Sequence, residues 1–183
     1  MLMTVLKTEH RLCTCCMEEH EVKVVKIIET TTFKGIKINY PAIYNYCDLA
    51  EEFYSSEDML NTNNINIKNA YRKSMGLLST DEIKQIRSKY GISQNDLCIV
   101  LGWGKKTITR YEGHAIQDKA HDSILRKINI DPEWFLELLE GAKDLLDTAS
   151  YAKYYNISRH LYGQQKEYYI QKAEEAELLY AKA

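Results

Sequence analysis

Two periodicities divide the chain. Between Glu21 and Cys47, "EVKVVKIIETTTFKGIKINYPAIYNYC" is rich in β-branched and aromatic residues. Val22, Val24, Ile27, Thr31 and Phe33 lead to Lys34-Gly35, and Ile36, Ile38 and Tyr40 then alternate with polar residues. This pattern predicts two antiparallel strands joined by a tight turn at Lys34-Gly35. Pro41 should break the second strand or sit at an edge. Folding about that turn pairs positions whose numbers sum to about 69. Cys47 then lies opposite Val22, a few residues from His20 and Cys16.

From Ser79 onward the period is helical. "STDEIKQIRSKYG" opens on a capping-box spacing, Ser79-x-x-Glu82, and stops at Gly91. "SQNDLCIVLGWG" is a second helix capped by Ser93, "KKTITRYEG" a short third, and "QDKAHDSILRKI" a fourth capped by Asp118. The fifth is capped by Asp131 with Pro132 at the first helical position, and its apolar stripe runs 135, 138, 139, 142, 145, 146. Two more helices are predicted near 149–162 and 165–182. Between the two regimes, residues 48–63 read as an acidic, then polar, connector with a short helix started by Ser55 or Ser56. "NNINIKNAYRKSMG" follows as a helix with an Asn cap and Gly76 as its stop. The expected class is α+β: a small β-hairpin module (1–48), a linker and helix (49–76), an all-α domain (77–130) and C-terminal helices that serve dimerisation (131–183).

Charge sharpens this picture. The whole chain of 183 residues carries a formal −2, but residues 72–127 hold 11 Lys and Arg against 6 Asp and Glu, a net +5. The flanking thirds are −3 and −4. A basic island between acidic flanks is the electrostatic footprint of phosphate binding. No apolar run is long enough for a signal peptide or a membrane span, so no membrane partner and a cytoplasmic setting with reduced thiols are expected. Five cysteines give no disulfide framework, and three of them sit with His20 in "LCTCCMEEH". In a reducing setting that clustering leans toward metal or redox chemistry.

"GISQNDLCIVLGWGKKTITRYEGH" is the sharpest signal. A helix-turn-helix needs two short helices held at a wide angle by a turn, often with glycine. Leu97 and Leu101 can pack against Ile108, and Gly102 supplies the turn. Gln94 sits at the start of the first helix, where side chain and dipole can hold a phosphate. The second helix begins Gly104-Lys105-Lys106-Thr107 and continues to Thr109 and Arg110, and such N-terminal residues reach base edges. Lys106 and Arg110 share a face, with Arg110 suited to bidentate readout of guanine. Ile108 and Tyr111 point to the core.

The stretch resembles the Xre/Cro-type regulators, whose pattern is matched by Ser93, Gln94, Leu97, Leu101, Gly102, Thr107, Ile108, Arg110, Tyr111, Glu112 and Gly113. Cys98 stands where that family prefers alanine. The wider order of parts covers residues 10–130. It runs from a cysteine-bearing N-terminus through "FKGIKINYPA" and "AYRKSMGLLSTDEIKQIRSKYGISQ" to "GWGKKTITRYEGHAIQDKAHDSILRKI". That order is similar to the MqsA/YgiT-type antitoxin regulators, which join a zinc-binding module to an Xre-type domain. The resemblance implies a homodimer that binds a palindromic operator in double-stranded DNA and represses its own operon. It also implies an N-terminal module able to bind a toxin protein. Base reading falls on Lys106 and Arg110, although the family often has asparagine at the first. The family's two Cys-x-x-Cys pairs are here Cys13-x-x-Cys16 and a lone Cys47.

Tetrahedral Zn2+ accepts a Cys3His set, which Cys13, Cys16, His20 and Cys47 can supply. Cys15 is an alternative to either neighbour, and Asp48 or His10 to His20. The competing reading is a degenerate module with free thiols. A redox Cys-x-x-Cys would want a thioredoxin-like βαβ setting, which the pattern lacks. No Gly-rich phosphate loop, nucleophile elbow or framed pair of acids points to an enzyme. The rival to a DNA-binding regulator is an interaction protein, with hairpin and acidic helices docking a toxin or effector. His114 falls just after the second helix, His121 packs in the fourth, and most tyrosines belong to the core or a dimer surface.

Overall fold

The computed structural model describes residues 3–180 as an α+β protein, an antiparallel four-stranded sheet followed by seven helices. The chain divides into two compact units at Ser79/Thr80.

The first unit holds β1 (Met3–Leu12), β2 (Glu19–Phe33), β3 (Ile36–Cys47), β4 (Glu52–Tyr54) and α1 (Glu57–Ser74), with strand order β1-β2-β3-β4. The predicted hairpin is β2–β3. Lys23 pairs with Tyr46 and Phe33 with Ile36, so partners sum to 69. Lys34 (φ 48°) and Gly35 (φ 78°) both adopt left-handed backbone, as a two-residue primed turn requires. Two strands were not expected. β1 covers the outer edge of β2 through pairs from Met3–Ile27 to Leu12–Glu19. β4 adds three residues beside the end of β3, where a connector was predicted.

Pro41 lies inside β3 without breaking it. β4 reaches only Asn45, Tyr46 and Cys47, so at Pro41 the side of β3 away from β2 faces no strand. α1 takes that place. The Asn63 amide accepts from Ile43 N–H (2.7 Å) and donates to Ile43 C=O (2.9 Å), and Asn66 donates to Pro41 C=O (2.8 Å). A proline with no N–H to offer is tolerated on such an edge. The short helix expected to start at Ser55 or Ser56 and the helix expected after an asparagine cap are one, α1, capped by Ser56, and the asparagine side chains serve the sheet instead. Ile67 and Ala70 pack on Ile27, Tyr40 and Ala42 of one sheet face. Gly76 (φ 67°) stops the helix as expected. Residues 49–76 are thus an integral part of the first unit rather than a linker.

The second unit contains α2 (Thr80–Lys89), α3 (Gln94–Val100), α4 (Thr107–Tyr111), α5 (Lys119–Ile130), α6 (Pro132–Gly141), a 3-10 turn at Lys143–Leu145, and α7 (Thr148–Tyr180). Three of the caps read from sequence in this unit close as expected. Ser93 accepts from Asp96 N–H (3.0 Å), Asp118 from His121 N–H (2.8 Å), and Asp131 from Trp134 N–H (2.9 Å). The core gathers Ile83, Leu97, Ile108, Leu125 and Leu139, with Tyr90 against Phe135 at a centroid distance of 4.0 Å and its hydroxyl donating to Ile128 C=O. α6 ends at Gly141, short of the predicted stripe, and the 3-10 turn leaves Leu145 exposed. The two predicted C-terminal helices are one, α7. Gly163 costs that helix roughly 1 kcal/mol but supplies no stop, since neither a left-handed residue nor a proline follows it.

Candidate metal centre and the surface of α3 and α4

Three local devices carry the four expected metal ligands to one spot. Cys13 and Cys16 sit on the β1–β2 loop, closed by Met17 N–H to Cys13 C=O (2.8 Å) and Cys13 N–H to Glu18 C=O (2.9 Å), with Met17 at φ 64°. His20 is the second residue of β2 and Cys47 ends β3. The hairpin register does the rest. The Sγ atoms of Cys13, Cys16 and Cys47 and a ring nitrogen of His20 all lie within 4.8 Å of one another, and this group could hold a metal ion. Ligand atoms around tetrahedral zinc, at about 2.0–2.3 Å from the metal, stand roughly 3.5–4 Å apart, so a small contraction suffices. Three sulfurs and one imidazole form a closed donor set, the composition of structural rather than catalytic zinc.

The surroundings hold these ligands in place. His20 Nδ1 donates to Glu21 C=O (2.9 Å), which selects the tautomer and leaves Nε2 facing Cys47 Sγ at 3.5 Å. Cys47 Sγ accepts from Ala50 N–H (3.3 Å). The Tyr54 hydroxyl lies 3.5 Å from Cys13 Sγ. Cys13, Val22 and Cys47 are fully buried, with Cys15, Cys16 and Tyr54 packed against them. Burial alone would raise the Cys13 thiol. The Tyr54 hydroxyl, the backbone N–H groups of Cys16 and Cys15, and His20 outweigh it and pull the thiol down to about 5. Contact with Cys13 in turn raises His20. Burial pushes Cys16 up. The fold thus prepares one thiolate, the species a metal needs.

The alternatives drop away. Cys15 stands outside the quartet, 3.7 Å from a Glu52 oxygen, and burial with the charges of Cys47, Glu52 and Cys13 pushes it up to about 11. Asp48 is paired with Lys23 at 2.8 Å, and His10 lies exposed on β1. Tyr54 was not anticipated, because nothing in the sequence shows that β4 returns it to the cysteines.

In the second unit, α3 and α4 are joined through Gly102, whose φ of 66° favours glycine. Cys98 Sγ accepts the N–H of Ile108 (3.4 Å), so a sulfur satisfies one of the first amides of α4. Regular helix begins only at Thr107, with Lys105 and Lys106 in the preceding turn. Lys105, Lys106, Thr109 and Arg110 are exposed, while Ile108 and Tyr111 are buried as expected.

Two expected surface residues have other work. Thr107 is 5% exposed, which leaves no surface for a base contact. Gln94 is engaged at both ends: its amide donates to Glu112 (2.7 Å) and its carbonyl accepts from Thr109 (2.9 Å). Glu112 is buried and takes a two-pronged contact from Arg87, Nε to Oε1 at 2.6 Å and Nη2 to Oε2 at 3.1 Å. Arg87 also donates to Ile92 C=O (3.1 Å). One charge network therefore clamps α2, α3 and the end of α4. His121 packs as expected, with its ring 4.1 Å from that of Trp103 and Nδ1 2.6 Å from the Tyr111 hydroxyl.

Among the described residues no helix is long and apolar enough to cross a membrane. No protein-family model matches the chain, and no curated protein matches it.

Proposed function

We propose that the protein is a sequence-specific DNA-binding transcription regulator of the MqsA/YgiT kind, with α3 and α4 as an Xre-type helix-turn-helix. The observation that carries this reading is the outward set Lys105, Lys106, Thr109 and Arg110 on the most basic stretch of the chain, backed by buried Ile108 and Tyr111. Lys105 and Lys106 neutralise phosphates and release counterions, which makes binding fall steeply with salt. Arg110 reads a guanine edge in the major groove. Gln94 acts from behind, steadying Thr109 and Glu112 rather than gripping the backbone itself. Two copies bind a palindromic operator, and occupancy represses the protein's own operon. Zinc on Cys13, Cys16, His20 and Cys47 is structural, tying the β1–β2 loop to the end of β3.

The test is an anisotropy titration on an operator obtained by selection. Arg110→Ala should lose about 1–3 kcal/mol at that operator and relax specificity, and Lys105→Ala should weaken all sequences alike and flatten the salt slope. If Arg110→Ala binds operator and random duplex as the parent does, the assignment of base reading is wrong.

A second reading, a toxin- or effector-docking module in which DNA binding is secondary, is favoured by β1. That strand lies at an open edge of the sheet and exposes Met3, Val5, Leu6 and Leu12, a surface suited to strand addition. Co-purification with the product of an adjacent gene, lost when β1 is altered, would favour it.

A further inference from the structure

α7 outruns the unit it belongs to. Among the described residues, its last hydrogen bonds to the rest of that unit are Tyr162 to Glu133 (3.0 Å) and Gln165 to Ile130 C=O (2.7 Å). Beyond them, all twelve residues from Lys166 to Glu177 are exposed, including Tyr168, Tyr169 and Ile170 at 57%, 62% and 51%. Such a helix, projecting about 20 Å, would be polar all round if water were its only neighbour.

It is not polar all round. At helical spacing Tyr162, Tyr169, Ala173 and Ala176 form one stripe, and Gln164, Glu167, Gln171 and Glu174 occupy the opposite side. A cavity of about 400 Å³ lies beside the stripe, lined by Glu133, Tyr162, Lys166, Tyr169, Ile170 and Ala173. Lys166 and Glu177 flank the stripe on the same side, because eleven residues are close to three whole turns. Among the described residues neither has an ion-pair partner within its own chain. Lys172, on the other flank, is held by Glu175 at 2.7 Å.

We infer that this face is the contact between two copies of the chain, an antiparallel pair of α7 helices about a two-fold axis near Gln171 and Lys172. A second copy is the occupant that the charges select. In an antiparallel pair equal flanks meet, so Lys166 falls opposite the partner's Glu177, and symmetry makes the bridge twice. In the same register Tyr169 lies over the small patch formed by the partner's Ala173 and the partner's Ala176, a large ring against small side chains. The end of the partner helix reaches the cavity beside Glu133. This supplies the two copies that the proposed operator binding requires and rests on that reading only there, because the contact is measured without DNA.

The experiment is sedimentation velocity of the full chain across the micromolar range. The parent should sediment as a dimer of the 21.3 kDa chain. Lys166→Glu and Glu177→Lys should each raise the dimer dissociation constant roughly tenfold, since each replaces two attractions by two repulsions. The double reversal should restore the parent value. Both sites are exposed, and far-UV circular dichroism checks that helix content is kept. A monomeric parent, single variants that dimerise like the parent, or a double variant no better than the singles would each overturn the inference. DNA binding by a parent that stays monomeric would sink this contact and leave the DNA reading standing, whereas a rescued dimer that ignores DNA would do the reverse.

Discussion

Glu112 offers the most direct probe of how the second unit is held. Its carboxylate is 3% exposed and accepts three hydrogen bonds, two from Arg87 and one from Gln94. Glu112→Ala removes all three bonds at once. Removing one member of a buried pair generally costs about 3–5 kcal/mol, because the remaining charge stays behind uncompensated. Arg87 is 24% exposed, so water recovers part of that loss, and about 3 kcal/mol is the expected cost. Both tryptophans, Trp103 and Trp134, belong to the second unit, so their fluorescence follows its unfolding alone. With a urea slope of about 1–3 kcal/mol/M, the midpoint should fall by about 1–3 M. The paired replacement Arg87→Met with Glu112→Leu should recover most of the loss, because apolar substitution of a whole buried pair is often neutral. A midpoint within error of the parent for Glu112→Ala, or a double variant as unstable as the single, would refute this account of the clamp.

Two further perturbations address the first unit. Tyr54→Phe removes only the hydroxyl beside Cys13 Sγ and should weaken zinc binding about 10–100-fold in competition with a chromophoric chelator; an unchanged affinity would mean that Tyr54 merely packs. Asn63→Ala deprives the N–H and C=O of Ile43 of their partners and should destabilise the sheet unit by about 2–4 kcal/mol in denaturant unfolding followed by circular dichroism, with a loss under about 0.5 kcal/mol counting against its role as the edge partner of β3.

What was legible in the sequence was what depends on local chemistry. The alternation on both sides of Lys34-Gly35 set the register of β2 and β3, and that register alone brings Cys47 back to His20. Ser93, Asp118 and Asp131 announced three helix starts through side chains whose capping bonds are local. β1 stayed hidden because an edge strand needs no consistent apolar face, and "MTVLKTEHRL" has none. β4 is too short to carry a period. That α1 runs unbroken from its Ser56 cap escaped because Asn63 and Asn66, poor helix formers, earn their places by serving the edge of β3 around Pro41. The outward-facing Lys105, Lys106, Thr109 and Arg110 were legible, but the burial of Thr107 and the hydrogen bonds of Gln94 were not. Their side chains are claimed by burial and by Glu112, a residue matched in the motif yet given no task.

The central claim is that the second unit recognises a specific duplex. Its most direct measurement is selection of fragmented genomic DNA by the purified full chain, sequenced against input. The account predicts enrichment of an inverted repeat whose half-sites carry an invariant guanine, lost with Arg110→Ala. Recovery of DNA without sequence preference, by parent and variant alike, would contradict it.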